Sequence, residues 1–108
     1  MRVIDRGIKA ATELGLYVII DWHILSDSNP LMHIEEAKDF FSKVAKKYHA
    51  YGNVIYEICN EPNVNCTWED IKKYAHKDAL FINYTNPMAM LSGAMQRYTD
   101  VPTVGLCH

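Results

Sequence analysis

The stretch Tyr56–Pro62, which reads YEICNEP, ends an apolar run abruptly with an amide, a carboxylate and a proline. Bulky residues in a run too short for a helix predict a strand, and Pro62 indicates that the strand has given way to a loop. Glu61 is therefore expected where a strand stops. Because the carboxyl ends of strands line the active sites of parallel α/β barrels, Glu61 beside Asn60 is a candidate general acid/base.

A second run ends in the same way. The stretch Tyr17–His23 reads YVIIDWH and passes from apolar residues to an acid, an indole and an imidazole. His23 is the candidate site residue here, and Trp22 fits a sugar-stacking ring and a packing ring equally well. Together, the two strand ends favour carbohydrate chemistry more strongly than either does alone.

Helices and strands alternate along the whole chain. Their spacing predicts helices over 2–14, 33–48, from 67 onward and 88–98, and strands over 17–21, 53–59, 79–84 and 103–106. Short connections between such elements predict parallel strands with crossover helices, in a three-layer α/β fold. The first two strands do not alternate in polarity, so we expect both of their faces to be buried. Periodicity alone does not separate a (β/α) barrel from a doubly wound sheet.

Composition excludes several classes of function. The chain has 108 residues, 49% of them hydrophobic, and a net charge of −2 with acids and bases mixed, which argues against nucleic-acid binding. No apolar run approaches a membrane span and no signal-peptide layout is present, so we expect a soluble chain and leave its compartment open. The cysteines are odd in number and lack CxxC spacing, which argues against a disulfide framework. They are Cys59, Cys66 and Cys107.

The first part of the chain carries a specific set of motifs. They are Leu14–His23 (LGLYVIIDWH), Phe40, Phe41, Lys47, Tyr48, Asn53–Pro62 (NVIYEICNEP) and Trp68. With these motifs, residues 1 to about 75 resemble family 5 of the glycoside hydrolases, the endoglucanase-type cellulases. The resemblance implies part of a TIM barrel, its βα units 3 and 4, acting on β-glucan without a cofactor. It implies that Glu61 is the acid/base of a retaining glycosidase, with Asn60 and His23 as substrate-binding and site-ordering neighbours.

A retaining glycosidase needs a second carboxyl group about 5 to 5.5 Å from the first. The resemblance implies that this nucleophile comes from a later barrel strand, which the chain does not contain. Asp21 and Glu57 lie within the predicted strands, so we expect them to be buried hydrogen-bonding groups. The sequence therefore predicts a cellulase-like segment that is inactive alone. The rival hypothesis is a non-catalytic, truncated or chimeric α/β fragment.

The tail of the chain resembles a different family. Its motifs are Phe81–Met90 (FINYTNPMAM) and Val104–His108 (VGLCH). They are similar to family 4 of the glycoside hydrolases, the NAD- and manganese-dependent α-galactosidases and α-glucosidases with a Rossmann-like fold. This resemblance implies that Cys107 is a thiolate metal ligand and that Asn86 contacts substrate. The tail lacks a glycine-rich nucleotide loop and the histidine that completes the metal site, so we do not expect NAD or manganese to bind.

Two resemblances in one chain predict a chimera. We expect a family 5 segment over 1–75 and a family 4 βαβ segment over 76–108, joined near Tyr74–Lys77 into one compact unit. A sheet assembled from parts of two folds leaves strand edges open. Because unpaired edges pair readily with other chains, self-association through them is expected.

Overall fold

Helices and strands alternate as predicted in the computed structural model, which describes residues 1–107. The elements are α1 (Arg2–Glu13), β1 (Val18–Asp21), a 3₁₀ helix (Pro30–His33), α2 (Ile34–Tyr48), β2 (Val54–Glu57), α3 (Trp68–Tyr74), β3 (Phe81–Asn83), α4 (Met88–Tyr98) and β4 (Thr103–Gly105). They divide into two compact units, Met1–Tyr74 and a second that begins at Ala75. Within 1–107, no helix has the length and apolarity that crossing a membrane requires.

The first unit contains a two-stranded parallel sheet. Strands β1 and β2 pair in register, with Val18 opposite Val54 and Asp21 opposite Glu57, and α2 makes the crossover between them. Both strands end where this pairing ends, and both are shorter than predicted. Because parallel strands point the same way, the loops that follow β1 and β2 leave from the same edge of the sheet.

A small hydrophobic core lies against one face of this sheet. Ile8 from α1, Ile20 from β1, and Val44 and Tyr48 from α2 are all buried and cluster together. Ile8, Val44 and Tyr48 lie on the apolar stripes of the two helices, which therefore cover the sheet from the side that Ile20 faces.

The opposite face of the sheet is open within the described residues, so the prediction that both faces are buried is wrong. Ile19 is 58% exposed and Ile55 is 48% exposed, whereas Ile20 is only 6% exposed. Successive side chains of a strand point to opposite faces, and only one face of this sheet has a helical layer. The sequence of β1 is nevertheless apolar on both faces, as in strands that are covered on both sides.

The second unit repeats the strand–helix–strand arrangement around a polar centre. Strands β3 and β4 are parallel, and α4 connects them. The buried side chain of Asn83 donates hydrogen bonds to Ser92 Oγ (3.1 Å) and to the Met88 carbonyl oxygen (3.3 Å). Gly105 allows α4 to approach β4, because a Cβ atom there would lie 2.5 Å from Ser92 Oγ and would also clash with Met88 Sδ.

Because only one face of β1 is buried, its adjacent isoleucines should contribute differently to the free energy of unfolding. We expect Ile20→Ala to lower the free energy of unfolding by about 2–5 kcal/mol, because it opens a cavity in the core. Ile19→Ala, the matched control on the exposed face, should change it by only about 0.5 kcal/mol or less. Urea denaturation of both variants measures the difference. Equal losses would show that the face bearing Ile19 is covered.

Candidate active site

The loops after β1 and β2 bring the predicted residues of the first unit to one edge of the sheet. His23 follows β1, while Asn60 and Glu61 follow β2. Asn60 Nδ2 lies 3.5 Å from His23 Nε2, so two residues far apart in the sequence are in contact. Strand β2 ends at Glu57, which places Glu61 on the loop itself, farther from the strand tip than predicted.

Asp21 fixes the orientation of the His23 ring. His23 Nδ1 lies 2.6 Å from Asp21 Oδ2, a distance at which the carboxylate accepts a hydrogen bond from Nδ1–H. In the tautomer that carries its proton on Nδ1, the ring has Nε2 as an acceptor toward the amide of Asn60. Asp21 thus acts as a hydrogen-bonding group, but its side chain is 29% exposed and not buried as predicted.

Glu57 lies opposite Asp21 in the sheet and has a raised pKa. Partial burial is the main cause, the negative charge of Asp21 adds to it, and His23 opposes it. Asp21 is already engaged by His23. The ionised form of Glu57 is therefore disfavoured, and this carboxyl group lies at the strand end from which the loop with Asn60 and Glu61 starts.

Glu61 is exposed and has an unusual backbone conformation. Its φ angle is +45°, in the left-handed region that L-residues other than glycine rarely adopt. The side-chain amide of Asn63 donates to the Glu61 carbonyl oxygen at 3.0 Å. Strained backbone of this kind clusters at active sites, where surrounding contacts maintain it. The conformation therefore adds weight to Glu61 as a functional residue.

Asparagines join the two loops, and sequence reasoning did not single them out. The backbone N–H of Asn63 donates to the Ser28 carbonyl oxygen at 2.9 Å. Asn29 Nδ2 donates to the Asn65 carbonyl oxygen at 3.0 Å and to Asp70 Oδ2 at 3.2 Å. The available signal was the abundance of Asn and Asp in both loops, since these side chains readily hydrogen-bond to backbone.

Helix α3 anchors the far end of the second loop. Thr67 N–H donates to Asp70 Oδ2 (3.0 Å) and Asp70 N–H donates to Thr67 Oγ1 (3.2 Å), a reciprocal cap of the helix start. The hydrogen bonds from Thr67 lower the pKa of Asp70. Tyr74 OH donates to the Ile58 carbonyl oxygen at 2.6 Å, and burial raises the pKa of Tyr74 to about 12. Both ends of the loop that carries Glu61 are therefore held.

Trp22 is half-buried against a helix. Its ring centroid lies 5.4 Å from that of Phe40, which packs on the hydrophobic core. Packing accounts for this contact, and a role for Trp22 in stacking on a sugar stays a prediction.

The remaining two predicted residues lie in the second unit. Asn86 is exposed just before α4, and Cys107 is exposed just after β4. His108 lies outside the described residues. Across 1–107, the structure contains no group of three or more His, Cys, Asp or Glu side chains that could hold a metal ion. The role of Cys107 as a metal ligand stays a prediction.

Polar groups gathered at the carboxyl ends of adjacent parallel strands are typical of the active sites of (β/α)-barrel enzymes. Residues 1–98 match the model of the cellulase family, glycosyl hydrolase family 5, and the chain belongs to this family. It is 55% identical over 74 residues to an endoglucanase of Clostridium saccharobutylicum, covering 68% of this chain and 16% of that protein. It is 41% identical over 102 residues to endoglucanase A of Butyrivibrio fibrisolvens, covering 94% of this chain and 24% of that protein.

A solved structure of the same family is also similar. The catalytic domain of a Thermobifida fusca endoglucanase superimposes with a TM-score of 0.65 at 35% identity, covering 99% of this chain and 31% of that one. The chain therefore spans less than a third of each of these three proteins. Its structural neighbours are catalytic domains of the TIM-barrel type.

The same matches correct the expectation for the tail. The family 5 match continues to residue 98, through most of the segment attributed to family 4. A family 4 tail, a Rossmann-like part and a chimera all lack support from the matches. The family 4 resemblance rested on two short motifs, and the first of them, Phe81–Met90, lies inside the range that matches family 5.

The positive φ of Glu61 predicts that glycine at this position is more stable than alanine, the reverse of the usual order. Glycine normally destabilises a folded chain relative to alanine, but it adopts positive φ at no steric cost. We therefore expect Glu61→Gly to be more stable than Glu61→Ala by about 1 kcal/mol. Thermal unfolding of the two variants tests this order. A more stable alanine variant would show that residue 61 does not adopt positive φ.

The raised pKa of Glu57 predicts pH-dependent stability. A carboxyl group whose folded pKa exceeds its unfolded value stabilises the fold when protonated, and this contribution is lost as pH rises through the folded pKa. Glu57→Gln removes the ionisable group. The melting temperature of this variant minus that of the unmodified chain should therefore increase as pH rises from about 4 to about 7.

The same variant in an Asp21→Asn background is the control for the cause of this shift. The gain should shrink there, because the neighbouring negative charge is gone. An identical gain in both backgrounds would assign the raised pKa of Glu57 to burial alone.

Proposed function

We propose that this chain is the acid/base-bearing segment of a retaining endo-β-1,4-glucanase and forms βα units 3 and 4 of its TIM barrel. The carrying observation is the left-handed Glu61 on the loop after β2, next in sequence to an asparagine that contacts His23. Membership of the cellulase family supports the same assignment. Glu61 is the proton donor in this proposal, and Asn60 and His23 are neighbouring polar residues that bind substrate and order the site.

The proposed chemistry needs only carboxyl groups. Protonated Glu61 gives its proton to the glycosidic oxygen as the bond to the sugar carbon breaks, and its carboxylate later takes a proton from the attacking water. A second carboxylate about 5 to 5.5 Å away attacks the sugar carbon and forms the covalent intermediate. Asp21 is engaged by His23, so this nucleophile comes from another part of the barrel. The mechanism requires neither a metal nor NAD.

A β-1,4-linked glucan is the proposed substrate. The Thermobifida fusca catalytic domain has been solved in complex with cellotetraose. In this chain, the Asn60 amide and the His23 ring offer hydrogen-bonding groups for sugar hydroxyls, and Phe40 holds Trp22 at the adjoining strand end. Asn86 and Cys107 were implicated only by the family 4 resemblance, so no role is proposed for them.

We expect the 108-residue chain to be inactive alone. Its first sheet exposes Ile19 and Ile55 on one face and pairs only two strands within the described residues. An open apolar face and unpaired edges favour completion by further barrel strands or association with a second copy. We therefore expect the isolated chain to be non-catalytic, and we assign catalysis to the completed barrel.

The test is to replace the matching segment of the Thermobifida fusca catalytic domain with this chain, giving what we term the completed chain. Glu61→Gln should lower kcat on a soluble β-glucan by about 10²- to 10⁴-fold, because general acid catalysis is lost. Formation of the covalent intermediate from 2,4-dinitrophenyl β-cellobioside should be nearly unaffected, because dinitrophenolate leaves without protonation. Burst kinetics measure that step directly.

Two comparisons sharpen this test. Glu69→Gln alters an exposed glutamate on α3 and should leave both rates unchanged. Equal loss of both rates in Glu61→Gln would contradict the acid/base role. Turnover of β-glucan by the 108-residue chain alone, abolished by Glu61→Gln, would show that the chain supplies its own nucleophile.

A further inference from the structure

Asn63 makes hydrogen bonds to both loops of the candidate site. Its backbone N–H donates to the Ser28 carbonyl oxygen at 2.9 Å. Its side-chain Nδ2 donates to the Glu61 carbonyl oxygen at 3.0 Å and lies 3.4 Å from the Leu25 carbonyl oxygen. One residue therefore links the loop after β2 to the loop after β1.

The partners of Asn63 include two strained positions. Within residues 1–107, the non-glycine residues with positive φ are Ser28 at +56° and Glu61 at +45°. Each such conformation is sterically unfavourable and needs contacts that maintain it. Asn63 accounts for a contact at both, through its backbone at Ser28 and its side chain at Glu61.

We infer that Asn63 is a positioning residue that holds Glu61 in its left-handed conformation and thereby aims the carboxyl group. A hydrogen bond to the Glu61 carbonyl oxygen restricts the φ and ψ angles of residue 61, and these angles set the direction in which its Cβ atom leaves the backbone. Proton donation is sensitive to displacements of about 1 Å. This inference rests on the proposed role of Glu61 as the acid/base.

The contacts require an asparagine side chain. Its amide supplies two N–H donors, which the carbonyl oxygens of Glu61 and Leu25 accept. An aspartate of the same shape has no N–H to donate when ionised, and alanine has none. Asn29 offers a matched control, because its amide also bridges the loops but bonds to Asn65 and Asp70 and not to Glu61.

The first experiment compares two substrates in the completed chain. Asn63→Ala and Asn63→Asp should lower kcat on soluble β-glucan roughly 10- to 100-fold with little change in KM, because a misplaced acid donates its proton poorly. The rate of intermediate formation from 2,4-dinitrophenyl β-cellobioside should change by no more than about twofold, since that step needs no acid. The ratio of the two rates is the readout.

Asn29→Ala separates positioning from general stability. It removes hydrogen bonds between the same loops and should lower the melting temperature, yet leave the ratio of the two rates unchanged. An unchanged ratio in Asn63→Ala, or an equal change in Asn29→Ala, would overturn the inference.

The second experiment measures the backbone of residue 61 without reference to activity. In the isotopically labelled completed chain, NMR couplings of residue 61 report the sign of φ. The expected result is positive φ in the unmodified protein and in Asn29→Ala, and loss of positive φ in Asn63→Ala. Retention of positive φ in Asn63→Ala overturns the inference. If Glu61→Gln shows no selective effect on β-glucan, the proposed function fails while this measurement still decides the role of Asn63.

Discussion

The parallel, in-register pairing of β1 with β2 is the constraint on which the candidate site depends. It ends with a hydrogen bond of 2.9 Å from Trp22 N–H to the Glu57 carbonyl oxygen, after which the two chains part. Because the strands run in the same direction and stop together, both following loops start at one edge. His23 and Asn60 meet there although they are distant in sequence. A slip in register would move the two loops out of step and separate these side chains.

Beyond the end of the sheet, side chains replace the strand ladder. Asn63 and Asn29 donate hydrogen bonds from one loop to backbone carbonyl groups of the other, and Asn29 also donates to Asp70 of α3. Ile24 and Ser28 of the first loop are themselves buried, which limits how far that loop can move. Within this network Asn63 is the member that also bonds to the Glu61 carbonyl oxygen, and the proposed acid role of Glu61 requires a residue held in one position for proton transfer.

The exposed face of the first sheet fits the place of this chain within its family. Ile19 and Ile55 are strongly apolar and yet exposed, on the face opposite the helices. In an eight-stranded barrel that face packs against other strands, and the chain spans under a third of each of the three endoglucanases compared above. Burial that is normally two-sided is therefore one-sided here, and the helical side alone supplies the hydrophobic core of this unit.

The sequence by itself determined the order of helices and strands, the parallel α/β class, the family of the first part and the grouping of Glu61, Asn60 and His23. The order and the class follow from local periodicity, the grouping from polar residues at the ends of apolar runs, and the family from the specific motifs of residues 14–23 and 53–62. Only the tertiary structure decided the early end of β2, the one-sided burial of β1, the positive φ of Glu61 and the bridging by Asn63. Each of these depends on contacts between segments far apart in the chain, which no local pattern encodes.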